Sequence, residues 1–247
     1  MSALVGRAAA LALALALLGG CAGTPQLPPE IAARPELAEV ATEPSVLDVY
    51  DPLQRFNRGM YNFNAGFDRY VFLPIVRAYT LVTPEFVQDG ISNFFNNFRE
   101  LPTFANSLLQ LNGETAGRAW LRFVINTMFT GGLFDLAGAR GIPQIVEDFG
   151  QTLGHWGVGA GPYLVLPVLG PSNLRDTTGI VTDALFFWWL TPGEIANSLA
   201  YNAVRFGLQP VDTRRQTAFR YYQTGSPFEY ELVRLLYTEK RKLDIGN

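Results

Sequence analysis

The chain has 247 residues and a formal net charge of −3, with 17% charged residues, 13% aromatic residues and 18 Phe. That length suffices for one large domain or two small ones. Charge well under the usual quarter means a core rich in rings, or apolar surface that meets something other than water. Mild acidity without any Lys/Arg cluster argues against a nucleic-acid partner.

Residues 1–20 read as a targeting segment: Arg7 supplies the positive start, and Ala8 to Leu18 is an Ala/Leu run too short to span a bilayer. It ends in Leu18-Gly19-Gly20-Cys21, which resembles the bacterial lipobox, with Gly at −2 a slight departure. The alternative is a plain secretory signal with an incidental cysteine. Cys21 is the chain's single cysteine and stands at the expected distance, so it is taken as the lipidated residue. Ala22 after it, rather than Asp, resembles lipoproteins sent on to the outer membrane. Residues 21–49, with Pro25, Pro28, Pro29, Pro35 and Pro44 among small and acidic residues, read as a flexible tether.

Asp51-Pro52 predicts the start of a first helix, with a stripe of Leu53, Phe56, Met60, Phe63, Phe67 and Tyr70. Its polar side carries Asn57, Asn62 and Asn64, although asparagine is a mediocre helix former. Pro74 interrupts the next apolar stretch. Thr83-Pro84-Glu85 opens a second helix with Phe86, Phe94, Phe95 and Phe98 on its broad apolar face, and Pro102 is expected to end it. A short helix over Thr103–Gln110 and a longer one from Glu114 to about Met128 follow, stopped by Gly131-Gly132. Residues 133–147 read as a connection.

From Phe149 to Leu174 there is no formal charge, with His155 counted neutral. Six glycines and three prolines rule out one spanning helix across that run. Irregular backbone of this kind is tolerated at membrane depth where it is buried in protein or lines a wet cavity. The alternative is a buried core loop with one short strand, Tyr163 to Val168. Ser172 is expected to cap a helix running into Phe186-Phe187-Trp188-Trp189-Leu190, whose paired Trp suit a membrane interface or a core. Capping boxes at Thr191–Glu194 and Ser226–Glu229 predict helices over Pro192–Phe206, with Gly207 just past the end, and over Pro227–Leu243. Asp212 starts a polar helix between them, and Glu239 to Lys242 reads as a solvated end. About seven or eight helices and at most one short strand make an all-α protein.

Catalytic signals are poor. One histidine and one cysteine offer no zinc set, and neither a G-x-S-x-G elbow nor a Walker loop occurs. Gly157-Val158-Gly159-Ala160-Gly161 has no strand ahead of it and no helix opening after it, so it is not read as a nucleotide loop. Glu147-Asp148 reads as a helix start. The expectation is a non-enzyme without cofactor or metal.

Several segments resemble the MlaA (VacJ) lipoprotein family. They are Asp51-Pro-Leu with Phe56-Asn57-Arg58 and Tyr61-Asn62-Phe63-Asn64, then Ser92 to Asn97, and Arg122-Phe with Asn126-Thr127. Phe149 to Gly154, Gly157 to Tyr163 and Gly170-Pro171-Ser172 with Arg175-Asp176 continue the match. The resemblance runs from Tyr50 to Tyr201, with Trp156 where the family usually has Tyr, and assigns nothing to the tail after Gly207. It implies a single domain over 50–247, a ring of amphipathic helices around a central lipid channel in the periplasmic side of the outer membrane. It also implies a trimeric porin beside that ring. The family removes phospholipid from the outer leaflet and passes it to a soluble periplasmic carrier (MlaC-like). On this basis Gly154, Trp156, Gly157, Gly159, Gly161, Pro162, Tyr163, Pro167, Gly170 and Pro171 are expected to shape the channel. Phe56, Asn57, Phe63, Asn64, Phe94 and Phe95 are expected to face the membrane, their amides meeting headgroups or else bonding between helices. The competing class is a scaffold lipoprotein that docks on a porin without moving lipid.

Overall fold

A computed structural model describes residues 49–246; the signal segment, Cys21 and the tether up to residue 48 lie outside the described residues. α1 (Gln54–Phe67) continues through a π turn (Asp68–Phe72) into α2 (Leu73–Val82). Asp51 does not cap α1: the residue ahead of its first turn is Leu53, with no side-chain cap. The Asp51 carboxylate instead accepts from Asn57 Nδ2 (2.7 Å), Tyr230 Oη and Arg234 Nη1 (3.1 Å). Pro74 causes no break. It sits in the first turn of α2, where its missing N–H costs least, and the π turn ahead of it absorbs the change of register.

α3 (Glu85–Leu109) passes straight through Pro102, where the sequence predicted an end. Side chains pin it on both sides of the proline. Asn97 Nδ2 donates to Thr127 Oγ1 (2.8 Å) and Glu100 accepts from Arg122 Nε (2.6 Å) before it. After it, Thr103 Oγ1 accepts from Glu147 N (3.3 Å) and Asn106 Oδ1 from Thr152 Oγ1 (2.9 Å). Together these offset the ~3 kcal/mol that an internal proline costs. α4 (Gly113–Thr130) returns antiparallel against α3. Asn112 Oδ1 caps it by accepting from Thr115 N, and Gly131 ends it at φ 62°.

The connection that follows holds one turn of helix, α5 (Leu136–Ala139). Then comes α6 (Phe149–His155), capped by Asp148, and a hairpin of β1 (Tyr163–Leu166) and β2 (Gly170–Asn173), antiparallel with Tyr163 opposite Asn173. The second strand corrects the single strand expected. α7 (Leu174–Leu190) is capped by Asn173, which accepts from Asp176 N (2.8 Å), and not by Ser172, whose hydroxyl pairs with Thr177 Oγ1 (2.9 Å).

The helix expected over Pro192–Phe206 is broken into α8 (Gly193–Ala196) and α9 (Leu199–Ala203), with Ser198 capping the second piece. Gly207 falls inside a second π turn, Val204–Leu208, and Asp212 lies within α10 (Gln209–Gln216) instead of opening it. α11 (Glu229–Ile245) closes the described chain without a side-chain cap. Among the described residues no helix is long and apolar enough to cross a membrane.

Candidate functional site

Two asparagines of α1 hold the hairpin. Asn57 Nδ2 donates to Tyr163 O (2.9 Å) while its Oδ1 accepts from Val165 N (2.9 Å). Two helical turns on, Asn64 repeats the pattern with Leu166 O (2.9 Å) and Val168 N (2.7 Å). β1 has β2 on one side only, and its other edge would leave buried peptide groups unpaired. A side-chain amide supplies the donor and acceptor that a further strand would supply. Asn57 is 0% and Asn64 3% exposed, so neither faces the membrane as the sequence reading had it. Phe95 is likewise buried, Phe94 half-buried, and only Phe56 and Phe63 of that group are exposed.

α6 and α7 cross where Gly150 meets Gly179; a Cβ on Gly179 would stand 2.3 Å from Gly150 N, so only glycine allows the approach. The crossing brings Asp148 and Asp176 to one guanidinium. Arg241 of α11 donates to Asp148 Oδ2 (2.7 Å) and Asp176 Oδ2 (2.8 Å). Burial works to raise both carboxyls, but the Arg241 pairing overrides it and holds both below the ordinary carboxylate range. Arg241 is therefore no part of a solvated helix end, although Lys240 and Lys242 are exposed. The tail to which the sequence assigned nothing is a strap: Tyr230 and Arg234 bind Asp51, Tyr237 Oη donates to Asp176 (2.7 Å), and Arg241 closes the far end. Its signal was the spacing of 230, 234, 237 and 241 along one helix face.

The expected channel residues divide in two. Trp156, Gly157, Gly159, Gly161 and Pro167 are exposed, and Trp156 Nε1 donates to Leu109 O (3.2 Å) at the end of α3. Gly157 (φ +86°) and Gly161 (φ +69°) need left-handed backbone, whereas Gly159 lies in open space with nothing within 4 Å of an added Cβ. Pro162 and Pro171 are half-buried. Tyr163 is 1% exposed and Gly170 is buried; both are packing residues in the hairpin and line no open surface. Gly154 is also a packing position, since a Cβ there would meet Ile245 Cδ1 at 2.6 Å.

Polar groups outnumber apolar ones inside, and large apolar groups are abundant outside. Among the described residues, ten hydrophobic side chains are buried against twenty-two polar or charged ones. Arg122 is buried between Glu100 and Asp135, and Ser92 bonds Asp212 inside the protein. Outside stand Leu81, Val82, Phe86, Met128, Phe129 (75%), Trp188, Trp189 (74%), Leu199 and Phe206, all exposed. Water-soluble surfaces do not carry apolar area on that scale without a partner.

An all-α protein with a hydrogen-bonded polar interior and an apolar exterior is one whose outer face meets apolar surroundings. A family model described as MlaA lipoprotein matches residues 49–244, and the chain belongs to that family. The match takes in the strap helix that the sequence reading left out. Similar curated proteins include the "Intermembrane phospholipid transport system lipoprotein MlaA" of Shigella flexneri, 40% identical over 149 residues, 57% of this chain and 59% of that one. The protein of the same description from Haemophilus influenzae is 37% identical over 171 residues, 66% of each chain. An uncharacterised protein of Rickettsia felis is 41% identical over 140 residues, 56% of each, so the match spans little more than half of such relatives. A solved structure described as "Structural basis for maintenance of bacterial outer membrane lipid asymmetry" superposes with a TM-score of 0.65 at 30% identity. It covers 80% of this chain and 100% of its own.

Proposed function

We propose that this protein is anchored in the outer membrane through Cys21, extracts phospholipids misplaced in the outer leaflet and passes them through a central channel to a soluble periplasmic carrier (MlaC-like). It would work beside a trimeric porin, without cofactor or metal. The observation that carries this reading is the inverted distribution of polar and apolar side chains. The exposed apolar helices let the body sit in the periplasmic leaflet with no spanning helix among the described residues. Lipid removes the hydrophobic drive that would otherwise hold helices together, and the buried amide and ion-pair lattice replaces it. A headgroup leaving the bilayer loses its hydration unless polar groups line its path. The exposed 156–161 turn, free of charge, is the surface on which a lipid can pass without being held. A scaffold reading predicts none of this traffic. Full-length protein purified in mild detergent should carry phospholipid close to one per chain, measured as lipid phosphorus. Protein free of phospholipid would favour the scaffold.

A further inference from the structure

The chain leaves α2 through Thr83, held extended (ψ 121°) by the proline that follows it. Gln88, one turn into α3 and 7% exposed, braces that corner: its Nε2 donates to Thr83 O (2.7 Å) and to Thr80 O (3.4 Å). The braced corner leaves an open hollow of about 480 Å³, lined by residues 80–85, Gln88 and Arg215 of α10. Arg215 is fixed in its wall. Nη2 donates to Ser92 Oγ (2.6 Å) and Gln88 O (3.4 Å), and Nε donates to Asp212 Oδ1 (3.4 Å). Nη1 makes no hydrogen bond among the described residues, so a guanidinium held on two of its nitrogens keeps the third for a ligand. That pinning sets it apart from Arg55 and Arg77, which are exposed and whose guanidiniums no bond among the described residues holds.

Glu85 also lines the hollow; it is exposed, and its carboxylate has no partner among the described residues. With Asp89, 3.6 Å from Arg215 Nη2, and Asp212 it makes three carboxylates around one guanidinium, so a bare anion gains little there. A ligand carrying both charges can set its anion on Arg215 and its cation on Glu85. Leu81 (86% exposed) and Val82 (77%) line the same hollow, and Phe86 (77%) follows Glu85 in the chain. A polar floor, an apolar lip and one charge of each sign suit the headgroup end of a zwitterionic phospholipid.

We propose that this hollow binds the phosphoethanolamine headgroup of a phospholipid, with Arg215 Nη1 donating to the phosphate and Glu85 accepting from the primary ammonium. This rests on the transport reading above. The test titrates full-length protein in dodecyl maltoside micelles with dioleoylphosphatidylethanolamine and with dioleoylphosphatidylglycerol, which keeps the phosphate and lacks the ammonium. Wild type should prefer the ethanolamine lipid about 5-fold, the worth of one partly exposed ion pair. Glu85→Gln, at an exposed position, should abolish that preference, weakening the ethanolamine lipid and strengthening the glycerol one. Glu194→Gln, at an exposed carboxylate of α8, should leave the preference intact. Arg215→Gln should weaken both lipids together; should it unfold the corner instead, Glu85→Gln still decides. Failure of wild type to prefer the ethanolamine lipid, or a preference that survives Glu85→Gln, overturns the site and leaves the transport reading standing. If wild type binds neither lipid, the transport reading falls, and this site with it.

Discussion

Asn57 and Asn64 stand seven residues apart on α1, and each presents one donor and one acceptor to the free edge of β1. Asn57→Ala should lower stability by about 3 kcal/mol, because Val165 N and Tyr163 O lose their partner inside the protein. Asn57→Asp should cost at least as much, since a carboxylate would face the Asp51 carboxylate and Tyr163 O where the amide now donates. Thermal unfolding in detergent checks both, and a change below about 0.5 kcal/mol would remove the clamp from the account. The surplus of asparagine was visible in the sequence, and bonding between helices was one of its two readings; the bonds run instead to the hairpin. What could not be read was the partner: β1 lies 106 residues further on for Asn57, and only the folded chain brings them together. At Val168 the same clamp holds a β-branched residue at φ 67°, a conformation that side chain seldom adopts.

Among the elements, α11 ties the N-terminal segment to the α6/α7 crossing, so removing its last anchor should loosen both. Arg241→Gln leaves the buried Asp176 and the half-buried Asp148 without their shared cation and should cost about 3 kcal/mol at neutral pH. The sign of the pH dependence follows from the depressed Asp148 and Asp176 values. Their contribution is present above the unfolded carboxylate pKa of about 3.9 and is lost as pH falls through the lower folded values. Acidification also relieves the stranded carboxylates of the variant. The gap between wild type and Arg241→Gln should therefore narrow below about pH 4, and a gap independent of pH would contradict the pairing.

The longer helices were legible from caps, glycine stops and apolar spacing, as α4 illustrates with Asn112 before it and Gly131 after it, whereas the single turn α5 lay in a stretch read as a connection. Elements that depend on distant partners were not. Pro102 continues inside α3 because tertiary bonds hold both flanks, and Gly170–Asn173 forms a strand because β1 lies opposite, with no apolar alternation of its own. Arg241 sits among three charged neighbours in sequence, and only the α6/α7 crossing separates it from the solvated lysines beside it.

For the whole molecule, low charge and abundant rings signalled apolar surface before any fold was in hand. The polar interior was not foreseen, because a sequence records which side chains are apolar but not which of them turn outward. On the transport reading proposed above, substitutions in the Gly-rich turn should separate fold from traffic. Gly159→Val enters open space and should leave stability unchanged while slowing lipid passage. Gly161→Val meets Leu174 Cβ at 3.1 Å from a left-handed backbone and should destabilise the turn itself. Normal outer-leaflet lipid in a well-expressed Gly159→Val strain would remove that turn from the path. The most direct test of the transport claim is outer-leaflet phospholipid in cells lacking this protein, complemented by wild type or by Cys21→Ala. Excess surface phospholipid that wild type corrects and Cys21→Ala does not is the predicted result. Surface phospholipid unchanged by loss of the protein would contradict the account and leave a scaffold lipoprotein.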